Sequence, residues 1–379
     1  MDNAKKALAV EDKVIFFHDD LDGVFCAALA LAKFGEATLK PVASNDRWKF
    51  SKMVDNAKSE GFKSISIFDY AFSPKAKIWF DHHPISKEDY HIANNPTSGK
   101  TWRYDKDAKS CFGLMVKSYY GYTVPEHIAK LAEGVDMYDS ASFPNSNYVF
   151  TSTKVLNLIF SALELNIRNR PAHTIIAKGL VNLIANWLNS KEPTSKTLLS
   201  KLAVYDFNKN LITEMNYRAL LAQRNLTILG DMALLVGRWG EYPRYSEVFS
   251  TEKCNMPIKY FLRLEHLPWQ RGMMRVSLGV NPYSKDHTLN VGRVLRDTDL
   301  CKGGGHRGVG GGLVKEKDMD DFIELMALQL AGEIKEDDML EKLGVDSGDR
   351  FEKSAKELSK EASMNMEDAR EQLRQQEED

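Results

Sequence analysis

The chain has 379 residues, 43% of them hydrophobic, and a formal net charge of −2. That length is too great for one small core and fits two domains. The near-neutral balance excludes a protein that coats long nucleic acid by charge alone, but leaves room for a local basic pocket that takes a short oligonucleotide. Cys26, Cys111, Cys254 and Cys301 are far apart with no CxxC pair. This argues for reduced thiols and against a disulfide framework or a zinc–thiolate site. The N-terminal stretch has no long apolar run, and no segment has the length of a membrane span. The expectation is a soluble cytoplasmic protein with no membrane partner.

Strand and helix signals alternate through the first half. Strands are predicted at Val14–Phe17, Thr38–Val42, Ser64–Phe68 and Lys77–Phe80, with helices at Val24–Phe34 and Phe50–Ser59. That order predicts a mainly parallel sheet flanked by helices. The polar segment Ser86–Asp107 reads as a surface loop before a helix at Ser110–Tyr119. Apolar spacing then predicts helices at Thr153–Leu165, Ala172–Asn189 and Lys196–Arg224. Strands return at Leu226–Leu229, Ala233–Val236, Tyr260–Glu265 and Met274–Val280. A helix at Leu289–Leu295, a glycine run, a short strand at Leu313–Val314 and a helix at Asp320–Leu330 complete a smaller α/β domain. The predicted division is 1–200 with a helical connector, 201–340, and a charged tail 341–379. The tail reads as a solvated helix or frayed end; an oligomerisation helix, and hence a homodimer, is the alternative.

The chemistry-bearing residues gather where strands end. Val14-Ile15-Phe16-Phe17 runs into His18, Asp20 and Asp22, and Gly23 then closes the turn. Side chains at i, i+2 and i+4 can converge where a parallel strand gives way to a turn. Two such carboxylates repel one another unless a divalent cation neutralises them. The strand Ser64–Phe68 ends at Asp69, and Lys77–Phe80 ends at Asp81-His82-His83. A further acidic pair, Asp136 and Asp139, follows in GVDMYD. One strand-end Asp is ordinarily a cap or turn residue. Three strand ends carrying such groups point instead to a metal site at the edge where α/β sheets bind ligands.

His18-x-Asp20-x-Asp22-Gly23, the lone Asp69, Asp81-His82-His83 and Asp136 resemble, in order, the four motifs of the DHH phosphoesterases. Gly303-Gly304-Gly305-His306 resembles the signature of the DHHA1 domain. The compact opening motif is most similar to the oligoribonuclease (nanoRNase B-like) branch, and the resemblance spans about residues 14 to 312. It implies two divalent metal ions: one held by His18, Asp20 and Asp69, the other by Asp22, Asp69, His82 and Asp136, with Asp69 bridging. Motif position favours Asp136, while Asp139 is left as a helix-stabilising or supporting carboxylate. Mixed imidazole and carboxylate donors suit Mn²⁺ better than Mg²⁺. The resemblance further implies that His83 faces a substrate phosphate and that Asp81 orients an imidazole. Gly304, Gly305 and His306 would bind substrate, their glycine backbone approaching an anion as in a nest. Many members carry an arginine near the position of Gly279; here Arg275 or Arg307 would supply that charge.

The implied activity is two-metal hydrolysis of short single-stranded oligonucleotides to nucleoside monophosphates. Alternatives are a cyclic dinucleotide or a linear pApA-type dinucleotide as substrate, polyphosphate or pyrophosphate hydrolysis, and a non-catalytic nucleotide-binding protein.

Overall fold

The computed structural model describes residues 12–95, 99–140, 142–143, 154–166, 169–191, 193–202, 217–218, 221–222, 224–239, 258–281, 289–305 and 308–330. They fall into two compact units, the first running to Met215 and the second from Asn216. Helix Ser195–Leu202 spans the expected boundary at residue 200.

The first unit is built on five strands: β1 (Lys13–His18), β2 (Thr38–Val42), β3 (Ser64–Phe68), β4 (Ile78–Asp81) and β5 (Thr101–Tyr104). All neighbouring pairs are parallel, in the order β2-β1-β3-β4-β5. Val14, Ile15, Phe16 and Phe17 are all buried, as a central parallel strand covered on both faces requires. Val14 and Phe16 pack with Phe50, Val54, Ile65, Ile67 and Trp79 on one side. Helix α1 (Leu21–Phe34) carries the chain from β1 to β2, and α2 (Phe50–Ser59) carries it from there to β3. Because β2 and β3 lie on opposite sides of β1, the strand order reverses there. In open α/β sheets such a switch point, here at the carboxyl ends of β1 and β3, is where ligands bind.

The segment Ser86–Asp107 is not the surface loop its polarity suggests. It holds helix α3 (Lys87–Ala93) and the edge strand β5. Ser86 caps α3 by accepting from the Asp89 amide at 3.0 Å, and Trp102 anchors β5 by donating its indole N–H to the Ala76 carbonyl at 3.1 Å. One buried side chain in a four-residue strand leaves no alternation to read. Four helices follow: α4 (Cys111–Tyr120), α5 (Glu126–Asp139), α6 (Lys154–Leu165) and α7 (Arg170–Leu188). α8 (Ser195–Leu202) ends this unit's described helices. Among the described residues no helix is long and apolar enough to cross a membrane.

The second unit is a six-stranded sheet in the order β10-β11-β9-β8-β7-β6. Its strands are β6 (Thr227–Leu229), β7 (Met232–Arg238), β8 (Tyr260–His266), β9 (Met273–Val280), β10 (Cys301–Gly305) and β11 (Val309–Lys315). β7 and β8 are parallel, and the other pairs antiparallel. Helices α9 (Val291–Asp297) and α10 (Met319–Leu330) supply Val291, Leu295, Phe322 and Met326 to a core with Leu262, Leu264, Val276 and Leu278.

The glycine run, expected to approach an anion, is built into the sheet. Gly303, Gly304 and Gly305 pair with Gly312, Gly311 and Gly310, so the run forms two antiparallel strands. A Cβ on Gly312 would lie 2.5 Å from Cys301 Sγ and 2.8 Å from Gly303 Cα, and one on Gly310 would lie 2.8 Å from Leu295 Cδ1. The bare backbone lets helix α9 and the strands meet closely. His306 and Arg307 lie outside the described residues, as does the tail 341–379. We expect Gly312→Ala to weaken this packing by about 1–3 kcal/mol. Hydrogen exchange in β9 to β11 should then speed up while β1 to β5 stay protected; unchanged protection would show that the hairpin absorbs the methyl.

Candidate metal centre

The first ligand-bearing loop begins where β1 ends. His18 is its last residue, Asp20 caps α1 by accepting from the Gly23 amide at 3.1 Å, and Asp22 lies in the helix's first turn. A Cβ on Gly23 would collide with the His18 carbonyl oxygen, so the tight return of the chain demands glycine. His18 Nδ1 lies 2.8 Å from Asp20 Oδ2 and 3.5 Å from Asp69 Oδ2. Its other nitrogen, Nε2, is 2.8 Å from Ser44 Oγ in the 3-10 helix Ser44–Lys49 that follows β2.

Asp69 follows β3 with φ of 56°, the one non-glycine residue of positive φ among those described. Its amide donates to the Phe80 carbonyl at 2.9 Å, which ties the turn to β4. The residue is 1% exposed, and neither carboxylate oxygen accepts a hydrogen bond among the described residues. Three imidazoles surround it instead. His18 Nδ1 is 3.5 Å from Oδ2, while His82 Nε2 and His83 Nδ1 are 3.6 and 3.4 Å from Oδ1. A buried carboxylate without a donor is costly unless a cation serves it. Spacings of this size around it leave room for metal–ligand bonds.

Asp81 ends β4 and is fully buried. Its Oδ1 accepts from the His82 amide at 2.8 Å, the His83 amide at 3.1 Å and His83 Nδ1 at 2.8 Å. That fan of bonds sets both imidazoles. His82 Nδ1 lies 3.0 Å from the Ala108 carbonyl, a contact in which it donates. Nε2 is thereby left to face Asp139 Oδ2 at 3.2 Å, Asp69 Oδ1 at 3.6 Å and Asp22 Oδ2 at 3.8 Å. Asp22 is itself fixed by the start of α4, its two oxygens accepting from the Cys111 amide at 2.7 Å and the Phe112 amide at 2.8 Å.

The donors thus form three overlapping groups able to hold a metal ion: His18, Asp20 and Asp69; Asp22, His82 and Asp139; and Asp69, His82 and His83. In each, the ligand atoms lie within 4.8 Å of one another. Asp136 is in none of these groups. It accepts a hydrogen bond from Ser110 Oγ at the N-cap of α4, while Asp139, three residues on along α5, is the carboxylate that lies with Asp22 and His82. His83 falls in the group with Asp69 and His82, its amide and its ring both bonded to Asp81. Ser44 was missed outright, though it too follows the carboxyl end of a strand.

Electrostatics report the same need for positive charge. Burial pushes the Asp22 carboxyl well above the usual carboxylate range, and Asp69 and Asp139 push further in the same direction. Burial works to lower the pKa of His18, but Asp20 and Asp69 outweigh it and hold the ring well above the ordinary value. His82 is raised likewise, with Asp139 and Asp69 overcoming its burial. Protons here stand where a cation would stand.

The remaining candidates lie in the second unit. Arg275, on β9, places Nη1 3.8 Å from Glu265 Oε2. Gly304 and Gly305 lie on β10, where the Gly305 carbonyl accepts from Arg296 Nη1 at 3.1 Å.

Neither a scan of family profiles nor a search of curated proteins finds a match. Solved structures do match. The pGpG-specific phosphodiesterase PggH from Vibrio cholerae superposes with a TM-score of 0.55 at 16% identity, covering 84% of this chain and 99% of that one. The fold is that of the DHH phosphoesterases. The DHH domain of a protein described as a member of a ribosomal protein family matches at a TM-score of 0.50 and 13% identity, covering 85% of this chain and 87% of its own. Thermus thermophilus RecJ in complex with Mn²⁺ also matches at 0.50 and 13%, over 88% of this chain but 54% of RecJ. At these identities the shared property is the DHH fold, with its parallel sheet and its second sheet domain.

Two outcomes test the donor set. In Mn²⁺ titration calorimetry, Asp139→Asn should abolish or strongly weaken one binding event, whereas Asp136→Asn should leave the isotherm near that of the wild type. Because His18 and His82 hold protons above the ordinary histidine range, a cation must displace them, and Mn²⁺ affinity should rise with pH through neutrality. Titrations in buffers of different ionisation enthalpy will show the released protons; an isotherm independent of buffer would speak against this ligand set.

Proposed function

We propose that the chain is a divalent-metal-dependent phosphodiesterase that cleaves short single-stranded oligonucleotides, down to linear dinucleotides, and releases nucleoside monophosphates. The observation that carries this reading is Asp69. It is a buried carboxylate without a hydrogen-bond donor among the described residues, shared by two donor groups on the switch-point edge of a DHH fold. Metal ions bound there, most suitably Mn²⁺, would supply Lewis acidity and neutralise phosphoryl charge. His18, Asp20 and Asp69 would hold one; Asp22, His82 and Asp139, with Asp69 shared, would hold the other.

The protein's own groups then position and donate. Burial works to lower the pKa of His83, but Asp81, bonded to its Nδ1, outweighs that and raises it. The pairing favours the protonated ring. His83 is 34% exposed, and a ring whose protonated form Asp81 favours is suited to donate to a phosphoryl or leaving oxygen. In the second unit, Gly304, Gly305 and Arg275, together with His306 and Arg307, are proposed to hold the base or phosphate of the remaining nucleotide.

Among substrates, a linear dinucleotide is favoured because PggH, named for pGpG, aligns over nearly its whole length. A panel of pGpG, pApA, a five-nucleotide RNA and a cyclic dinucleotide, assayed with Mn²⁺, should show the fastest turnover on the linear dinucleotides. Asp69→Ala should remove hydrolysis with either Mn²⁺ or Mg²⁺, since both donor groups built on Asp69 lose a member. Near wild-type turnover in that variant, or preference for polyphosphate over every nucleotide, would overturn the assignment.

A further inference from the structure

His173 has no motif around it, yet it is 2% exposed and placed against the metal-bearing loop. It lies in the first turn of α7, a helix capped by Asn169, whose Oδ1 accepts from the Ala172 amide at 3.3 Å. Its Nε2 is 2.8 Å from the carbonyl oxygen of Asp19, and its Nδ1 is 3.1 Å from that of Leu163 on α6. The ring therefore spans from the end of α6 to the residue between His18 and Asp20. The Asp19 carboxylate also lies 3.4 Å from Nε2.

Arg170, three residues earlier on the same helix, completes the grip. Its Nη1 donates to Asp19 Oδ2, and its Nη2 lies 3.7 Å from Asp46 Oδ2. Asp46 belongs to the 3-10 helix whose Ser44 contacts His18 Nε2. One guanidinium thus ties together the two segments that hold the His18 ring: the loop that carries it and the turn that orients it. The Asp19 amide donates to the Val42 carbonyl at 3.1 Å, so Asp19 is held from three sides. Neither His173 nor Arg170 belongs to a metal-binding donor group among the described residues.

We infer that Arg170 and His173 are positioning residues for the donor group His18, Asp20 and Asp69. Together they clamp Asp19 and set how tightly that group takes a divalent cation. This rests on the metal-dependent reading above and extends it to a helix that carries no ligand. Outer contacts that orient metal ligands are ordinarily worth 10- to 100-fold in affinity. His173→Ala should therefore weaken one of two Mn²⁺ binding events by about that factor and leave the other unchanged. His173→Gln, whose amide can still donate to Asp19, should recover part of the loss.

The experiment is an Mn²⁺ titration of the full chain without substrate, followed by calorimetry and by electron paramagnetic resonance, with thermal melting of the metal-free proteins alongside. A His173→Ala protein that melts lower but binds both ions like the wild type would overturn the inference, since the residue would then be structural only. Should that variant not fold, Arg170→Gln decides. Arg170 is 39% exposed, and its loss should weaken the same single event. A wild-type isotherm in Arg170→Gln would overturn the clamp. A wild-type chain that bound no Mn²⁺ would instead remove the metal reading itself, an outcome separable from failure of the clamp.

Discussion

The architecture of the first unit turns on one carboxylate that the fold buries and, among the described residues, leaves without a hydrogen-bond donor. Asp69 adopts a left-handed backbone conformation that a side chain enters at a cost, though aspartate tolerates it better than most residues. The hydrogen bond from its amide to the Phe80 carbonyl and the parallel pairing of β3 with β4 hold it there. Strain of this kind persists where surrounding structure over-determines it, and it concentrates at sites that work. Here it aims both oxygens at imidazoles delivered by different strands: Oδ2 toward His18 from β1, Oδ1 toward His82 and His83 beyond β4. Shifting β3 by one residue would turn its side chains to the other face of the sheet.

Much of this edge was legible in the sequence because strand-end chemistry and apolar runs coincide. The pattern VIFF followed by His18, Asp20 and Asp22 names both a buried strand and its cargo, and β2, β3 and β4 end within a residue or two of their predicted limits. What could not be read was the choice between carboxylates on a helix. Asp136 and Asp139 are three residues apart and so share a face of α5. Which one reaches His82 depends on Ser110 at the neighbouring helix cap, which engages Asp136 and is distant in sequence. Likewise, nothing local to Ser44 marks it as the partner of His18, since that contact spans two strands and a helix.

The glycine-rich stretch shows tertiary context overriding local propensity. Glycine weakens strands in isolation, and a run of it reads as a loop. The structure makes strands of it because a helix and two chains must approach more closely than any Cβ permits. The absence of side chains is thus used for contact between elements of the same unit. The short helix and edge strand inside Ser86–Asp107 were obscured for the opposite reason: their few anchoring groups, Ser86 and Trp102, are outnumbered by polar neighbours.

Asp22 serves two masters. The oxygens that would contact a cation already receive the first two amides of α4, so that helix begins, in effect, on the wall of the metal centre. Competition between backbone and ion for one pair of lone-pair sets makes the helix start and the ion's seat a single mechanical part. Fraying at Cys111 would loosen the seat, and a seated ion would in turn stiffen the first turn of a helix that offers no ligand of its own.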